Sequence, residues 1–237
     1  MSFLGAVPAT VLADPSAPGN PWFSWRYVQQ NSDAILTALK YHAELTGETI
    51  LVAALIALPL AILAYWVRAL AAPIIGICNT LYIIPSLALI AVLAPFTGIG
   101  SKLTILIPVT MYALMLIVNN ALTGLQRVPT EVVDAATGMG YGRVGRLVKV
   151  ELPLALPAIM TGIRLATVST VALVTVGVVA GQGGLGQLIA SGLTNDFYKA
   201  PVMTGTVLCV ALGLVLDLIL LGITRLITPW TRRAVAR

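Results

Sequence analysis

The charged side chains of this chain are concentrated in one stretch, which runs from residue 126 to residue 157 and lies between long apolar segments. Its sequence is QRVPTEVVDAATGMGYGRVGRLVKVELPLALP. Four basic and three acidic residues lie in it: Arg127, Arg143, Arg146, Lys149, Glu131, Asp134 and Glu151. Side chains of both signs can form ion pairs and hydrogen bonds with a second protein. We therefore interpret this charged loop (residues 126–157) as a docking site.

Residues for enzymatic chemistry are scarce. His42 is the one histidine, so no triad or metal site with a second histidine can form, and we interpret it as a polar residue at the membrane interface. Cys78 and Cys209 lie in apolar segments, where neither a disulfide framework nor a metal site is expected. Residues 98–102 lack the spacing of a phosphate-binding loop. We predict a chain that is not an enzyme, binds no metal or cofactor, and cannot hydrolyse ATP alone.

The composition indicates an integral membrane protein. Hydrophobic residues make up 58% of the chain and charged residues 10%, whereas soluble proteins have about 25% charged residues. The net charge of +5 comes from basic residues in loops between apolar segments, which favours a topological role over nucleic-acid binding.

Five segments are long and apolar enough to cross a bilayer, which takes about 20 residues. They are residues 49–67, 73–95, 103–122, 157–180 and 202–227. The sequence therefore predicts an all-α, polytopic membrane protein with about five transmembrane helices.

The flanking segments and the basic residues predict the topology. Residues 1–48 contain no evident signal peptide, so we expect a retained external or interfacial segment with a short helix over residues 31–45. Basic residues concentrate in the charged loop and in the tail at residues 228–237. Because cytoplasmic loops carry an excess of basic residues, we expect a cytoplasmic C-terminus, an external N-terminus and a location in the plasma or inner membrane.

The charged loop contains one helix signal. Thr130 can cap a helix start, and Glu131 suits its positive end. Apolar residues then recur at helical spacing until a glycine cluster ends the pattern. These residues are Val132, Val133, Ala135, Ala136 and Met139, followed by Gly138, Gly140 and Gly142. We predict a short amphipathic helix of about ten residues.

The spacing of this loop resembles that of a known family. Asp134-Ala135-Ala136, three residues, Gly140, nine residues and Val150-Glu151-Leu152-Pro153 is similar to the Glu-Ala-Ala (EAA) loop of ATP-binding cassette (ABC) importer permeases. Asp134 replaces the glutamate and Val150 an isoleucine of that pattern. Ile84 to Leu89, Val150 to Pro157 and Gly183 to Gly186 further resemble osmoprotectant permeases, over roughly residues 49–227.

The resemblance implies the MetI-like permease fold of type I importers, with a permease domain at residues 49–227. It implies import of an osmoprotectant such as glycine betaine, carnitine or choline by alternating access. The implied partners are two copies of a separate ATPase subunit holding ATP and magnesium, a second permease that is identical or homologous, an external substrate-binding protein, and lipid.

The resemblance also implies roles within the loop, which would be the coupling loop. Asp134, Ala135 and Ala136 would form the surface that meets the ATPase, with Gly140 allowing a sharp turn. Leu152 and Pro153 would fix re-entry into the bilayer. Glu131 and Arg143 complete the predicted coupling residues.

Polar residues within the apolar segments are the candidates for a pathway, because ionisable groups at membrane depth are costly. Asp217 is the deepest acid, and its alternatives are a pathway role or pairing with Arg164, Arg225 or a partner. Asn119 could contact substrate or bond between helices. Pro85 and Ser86 break the second segment, either as a packing kink or to free backbone groups.

A glycine-rich segment follows the fourth span. Gly183, Gly184 and Gly186 cannot continue a helix comfortably, so we predict a short external helix over residues 187–193. Small residues there suit a gate or a docking edge for the binding protein.

Other functions remain open. An ABC permease for amino acids or another small solute shares the loop pattern. A stand-alone channel or secondary carrier would usually show inverted repeats or several intramembrane carboxylates, and this sequence shows neither.

Overall fold

A computed structural model describes residues 20–98 and 100–230. The predictions made for residues 1–19, including the retained N-terminal segment, lie outside the described residues. So do those for residues 231–237 of the basic tail.

The regular elements of the described chain are all helical, which confirms the predicted all-α class. Ten α-helices are numbered here in chain order. They are α1 Trp25–Gln30, α2 Ser32–Trp66, α3 Arg68–Ile83, α4 Ser86–Thr97, α5 Leu103–Gln126, α6 Thr130–Gly138, α7 Arg143–Arg146, α8 Leu152–Thr175, α9 Leu185–Thr194 and α10 Lys199–Ile227. A π-helical turn, Leu147–Glu151, leads into α8, and a 3₁₀ turn, Val176–Ala180, follows it.

Four helical segments in the described residues are long and apolar enough to span a membrane, and α3 with α4 makes a fifth if the broken pair counts as one span. The break falls at Ile84 and Pro85, where the predicted interruption is confirmed. Pro59 and Pro108 lie inside α2 and α5, which continue through them. Proline is tolerated there because neighbouring groups in a membrane bundle can satisfy the freed backbone.

The separate helix predicted at residues 31–45 is wrong, because α2 runs without interruption from Ser32 to Trp66. Gly47 costs only about 1 kcal/mol in a helix and does not end it. The hydroxyls of Thr46 and Thr49 donate to the carbonyls of His42 and Leu45, at 2.8 and 2.7 Å. The hydroxyls of these two threonines are therefore satisfied within the helix.

The chain divides into two compact units, and each combines segments that are distant in sequence. The first comprises residues 1–49, 85–109 and 169–215, of which residues 20–49, 85–98, 100–109 and 169–215 are described. Its apolar core includes Leu45, Ile105, Val174, Leu185 and Leu188, all of which are almost fully buried.

The second unit comprises residues 50–84, 110–168 and 216–237, and its description ends at residue 230. Close approach of α5 and α8 organises its core. A Cβ added to Gly162 would lie 2.7 Å from Asn120 Cβ, and one added to Gly124 would lie 2.7 Å from Ala158 Cβ. Small residues allow such helix contacts, which replace hydrophobic burial as the source of packing energy in a membrane.

Candidate functional site

The predicted helix of the charged loop is α6, in the second unit. It begins at Thr130, with Pro129 as its N-cap, so the predicted capping role of Thr130 is wrong. Proline already holds a backbone torsion near that of a helix, and Thr130 becomes the first helical residue. Glu131 lies in the first turn, where an acid is favourable. The helix ends at Gly138, and Gly140 follows in the left-handed region at φ +85°.

The surface of α6 only partly matches the predicted docking surface. Asp134 and Ala135 are exposed, whereas Ala136 is 1% exposed and its carbonyl accepts a hydrogen bond from the Tyr141 amide at 3.1 Å. A small side chain at position 136 lets the following turn pack against α6. Ala136 thus faces its own chain, and an outward surface must be built from Asp134, Ala135 and their exposed neighbours.

Exposed apolar side chains are a feature of the loop that the charge pattern did not reveal. Met139 is 70% exposed, and Val144 and Val148 are also largely exposed. Apolar groups beside charged ones are typical of a surface that binds a protein partner.

Arg146 connects α6 to the start of α8 through an ion pair with the buried Glu151 and a hydrogen bond to Thr137. The Arg146 Nε donates to Glu151 Oε1 at 2.6 Å, and the Glu151 side chain is fully buried. The Arg146 Nη1 donates to the hydroxyl of Thr137, on α6, at 3.0 Å. Arg146 therefore bonds both to α6 and to the residue before α8, contacts that the sequence analysis missed.

The spacing of this pair follows from the π-helical turn Leu147–Glu151. Arg146 and Glu151 are five positions apart, whereas a regular α-helix brings residues three or four positions apart together. A π-turn contains the wider i to i+5 spacing, and such turns are frequent at functional sites. The second oxygen of Glu151, Oε2, is buried without a hydrogen-bond partner.

Arg143 fixes the loop to the end of α2. Its Nη2 donates to the carbonyl of Trp66 at 2.9 Å, and its guanidinium carbon lies 4.9 Å from the centre of the Trp66 ring. These contacts combine a charge-assisted hydrogen bond with a cation–π interaction. Arg143 and Arg146 thus connect the charged loop to the ends of two membrane helices.

Leu152 and Pro153 were predicted to fix the re-entry of the chain into the bilayer. Leu152 and Pro153 are the first two residues of α8. Leu152 packs against the apolar cluster that contains Leu125 and Leu147. Pro153 lies just after the π-helical turn, within a helical segment that runs from Arg143 to Ala180, and local π-helical adjustments let a membrane helix tolerate proline.

Two of the four predicted pathway residues, Asp217 and Asn119, have specific partners in the second unit. The carboxylate of Asp217 receives two hydrogen bonds from the Arg164 guanidinium, both at 2.8 Å, which is the pairing alternative foreseen with Arg164. The Asn119 amide donates to Asn79 Oδ1 at 3.4 Å, a bond between α5 and α3. Pro85 and Ser86 belong to the first unit, with Pro85 as the exposed N-cap of α4 and Ser86 half-buried.

The predicted glycine-rich segment is closely packed in the first unit. A Cβ on Gly186 would lie 2.1 Å from the Thr175 carbonyl oxygen, and Gly184 adopts φ +94°. Gly183 is exposed. The following helix, α9, confirms the predicted short helix at residues 187–193 with slightly wider bounds.

His42 holds this segment, and its prediction as an interfacial residue is wrong because it is fully buried. Its Nε2 donates to the Val171 carbonyl at 3.0 Å, and its Nδ1 accepts from the Leu185 amide at 3.3 Å. The neighbouring Tyr41 hydroxyl donates to Gln182 Oε1. A histidine in an apolar helix gave no sequence signal for these long-range bonds.

The charged loop has side chains suited to protein contacts rather than to catalysis or metal binding. Within residues 20–98 and 100–230, no cluster of three metal-ligating side chains is present. The loop instead offers an exposed acid, exposed apolar side chains and two arginines anchored to membrane helices.

Comparisons with known proteins agree with the loop pattern. Residues 49–233 match the family described as "Binding-protein-dependent transport system inner membrane component". The glycine betaine/carnitine/choline transport system permease protein OpuCD of Bacillus subtilis is 30% identical over 86% of this chain and 88% of its own length. The osmoprotectant import permease protein OsmW of Salmonella typhimurium is 32% identical over 86% of this chain and 96% of its own.

Solved structures show the same fold. An inward-facing structure of the MetNI methionine ABC transporter superposes with a TM-score of 0.76 at 23% identity, covering 84% of this chain and 99% of the matched chain. The predicted MetI-like fold is thereby confirmed.

Proposed function

Because this chain belongs to the family of inner membrane components of binding-protein-dependent transport systems, we propose that it is the permease subunit of an ABC importer for an osmoprotectant. The substrate class is that of relatives named for glycine betaine, carnitine and choline. All three compounds carry a quaternary ammonium group. The whole matched region, residues 49–233, would form the permease domain.

The observation that carries the mechanism is the pair of arginine anchors. Arg146 bonds to Thr137 on α6 and to Glu151 beside α8, while Arg143 bonds to the end of α2. A force applied to α6 would reach both membrane helices through short, charged contacts. Such a rigid linkage is what a domain rotation driven from a small docking surface requires.

The proposed partners would supply ATP hydrolysis, the rest of the pathway and substrate delivery, and one of them would bind the exposed surface of α6. A separate ATPase subunit, in two copies, would bind ATP and magnesium and receive α6 through Asp134, Ala135 and Met139. A second permease would complete the pathway, and an external binding protein would deliver the substrate. In this arrangement the charged loop and the C-terminus are cytoplasmic, and the N-terminus is external.

The test is ATP-driven uptake of radiolabelled glycine betaine into vesicles that contain this chain, its ATPase and its binding protein. We expect uptake to need ATP and all components. Gly140→Val should abolish it, because β-branched residues strongly disfavour the φ of +85° found there. Gly138→Val is the matched control, since Gly138 is helical and a Cβ there meets nothing within 4 Å.

The outcomes separate the competing functions. Uptake by this chain alone, indifferent to ATP and to position 140, would overturn the importer proposal in favour of a channel or carrier. ATP-dependent uptake of an amino acid but not of glycine betaine would keep the importer and overturn its substrate class.

A further inference from the structure

We propose that Tyr82 and Tyr112 form a transient binding site for the quaternary ammonium group of the substrate within the second unit. The two rings lie edge to face, with centroids 5.6 Å apart and planes at 69°. Tyr112 is buried, whereas Tyr82 is 42% exposed and presents part of its ring outside the unit. The inference rests on the proposed function for the identity of the ligand.

A hydrogen bond of Tyr112 fixes the arrangement of the two rings. The Tyr112 hydroxyl donates to the carbonyl of Ile84, the C-cap residue that follows α3. That bond satisfies a carbonyl that the helix break leaves free, and it holds the Tyr112 ring against Tyr82. The exposed ring of Tyr82 therefore packs against the ring of Tyr112, whose position this hydrogen bond fixes.

Two electrostatic features favour a cation beside Tyr82. The face of an aromatic ring carries partial negative charge and attracts cations within about 6 Å. The carbonyl end of α3 also carries partial negative charge, because the last carbonyls of a helix have no amide partner within it. Tyr82 lies in the last turn of α3, so both effects act at one place.

The side chains of α3 and α5 select the type of cation. Neither helix contains an aspartate or a glutamate, and the carboxylate of Asp217 is already paired with Arg164. Small divalent cations are usually held by one or more carboxylates, which neither helix supplies. A large, weakly hydrated quaternary ammonium group needs only aromatic faces and partial charges.

Polar side chains also join α3 to α5, and we call this line of contacts the α3–α5 seam. Asn79 is one turn before Tyr82 on α3, and it accepts a hydrogen bond from Asn119 on α5. Polar groups at membrane depth usually face protein or water, so the seam suits a hydrated route. With one exposed ring, the site binds weakly, as a transport pathway requires, because a tightly bound substrate would not leave.

The experiment measures tetramethylammonium binding by the full chain, reconstituted with its ATPase, using NMR of the ligand methyl groups. Position 82 is varied from tyrosine to phenylalanine and then to mono-, di- and trifluorophenylalanine, which keep the shape while weakening the ring's negative face. We expect affinity to fall stepwise, with Tyr82→Leu about five- to thirty-fold weaker than the native chain. Phe96→Leu, at an exposed ring on α4, is the control and should not change binding.

Binding that is indifferent to fluorination and to Tyr82→Leu would overturn the site. Transport is measured in parallel with the complete system. Stepwise loss of tetramethylammonium binding without ATP-driven uptake of any quaternary ammonium compound would support the site while contradicting the proposed function.

Discussion

The guanidinium of Arg146 and the carboxylate of Glu151 lie 2.6 Å apart, five residues from each other along the chain, and the carboxylate is fully buried. The π-helical turn between them makes this contact possible. The same arginine bonds to Thr137 on α6, so one side chain connects α6 to the start of α8.

Removing one member of this pair should be more harmful than removing both. Arg146→Met leaves a buried carboxylate without its partner, and we expect a loss of about 2–4 kcal/mol, somewhat below the usual range because Arg146 is partly exposed. The double variant Arg146→Met, Glu151→Leu should recover most of that stability, since a buried pair can often be replaced by apolar residues. Unfolding in detergent measures both values.

In the double variant, ATP-driven uptake should not recover together with the free energy of unfolding. In the double variant we expect ATP hydrolysis to continue while ATP-driven uptake is lost, because the link to Thr137 is still absent. Full uptake in the double variant would contradict a transmitting role for Arg146 and leave it a purely structural contact.

The glycine-rich segment should tolerate substitution at one glycine and not at another. A Cβ at Gly186 would lie 2.1 Å from the Thr175 carbonyl, so Gly186→Ala must move backbone and should cost about 3 kcal/mol or more. At Gly183 the nearest atom is Tyr41 Cδ1 at 3.8 Å, and Gly183→Ala should change stability by less than about 0.5 kcal/mol. Thermal unfolding of the two variants measures the difference, and equal effects would show that the packing at Gly186 is not limiting.

Hydropathy predicted the spans and the charged loop because both depend on composition over many residues. The interruption at Pro85 was also predictable, since proline has a direct effect on the backbone. The continuity of α2 was not, because the polar residues near Gly47 read as a boundary in sequence, and only within the helix do Thr46 and Thr49 bond to their own backbone.

The candidate site was predictable in position and less so in detail. The spacing from Asp134 to Pro153 located the loop, but it gave no sign that Ala136 faces inward. The i to i+5 pairing of Arg146 with Glu151 depends on a π-turn, and Pro153, two residues beyond that turn, was interpreted only as fixing re-entry into the bilayer. The bonds of His42 join residues more than 120 positions apart, which no local pattern encodes.

Glycine-to-alanine substitution should destabilise the chain at the contact between α5 and α8 but not at an open helical position. Gly162→Ala places a Cβ 2.7 Å from Asn120 Cβ and should destabilise the chain by about 1–3 kcal/mol. Gly222, on α10, has nothing within 4 Å of an added Cβ, so Gly222→Ala should be neutral or stabilise by up to about 1 kcal/mol. Unfolding in the same detergent tests both, and a stabilising Gly162→Ala would contradict the close approach of the two helices.

The ion pair of Arg164 with Asp217 should respond to charge exchange. Both side chains are about one quarter exposed in the isolated chain, at 28% and 26%, and they form two parallel hydrogen bonds. Arg164→Leu leaves an unpaired carboxylate on an apolar helix, which costs about 2–3 kcal/mol in a membrane. The double variant Arg164→Asp, Asp217→Arg keeps the pair and should recover at least half of that loss, although the exchanged side chains differ in length.

Uptake measurements on these variants distinguish pairing from a pathway role. If pairing is the main role of Asp217, uptake per folded protein should recover in the exchanged variant together with stability. A variant that regains stability but not uptake would instead show that the carboxylate at position 217 is itself required for transport. Asp217→Asn completes the comparison, because it retains a hydrogen-bond acceptor without the charge, and an unchanged uptake rate with this variant would contradict any need for the charge.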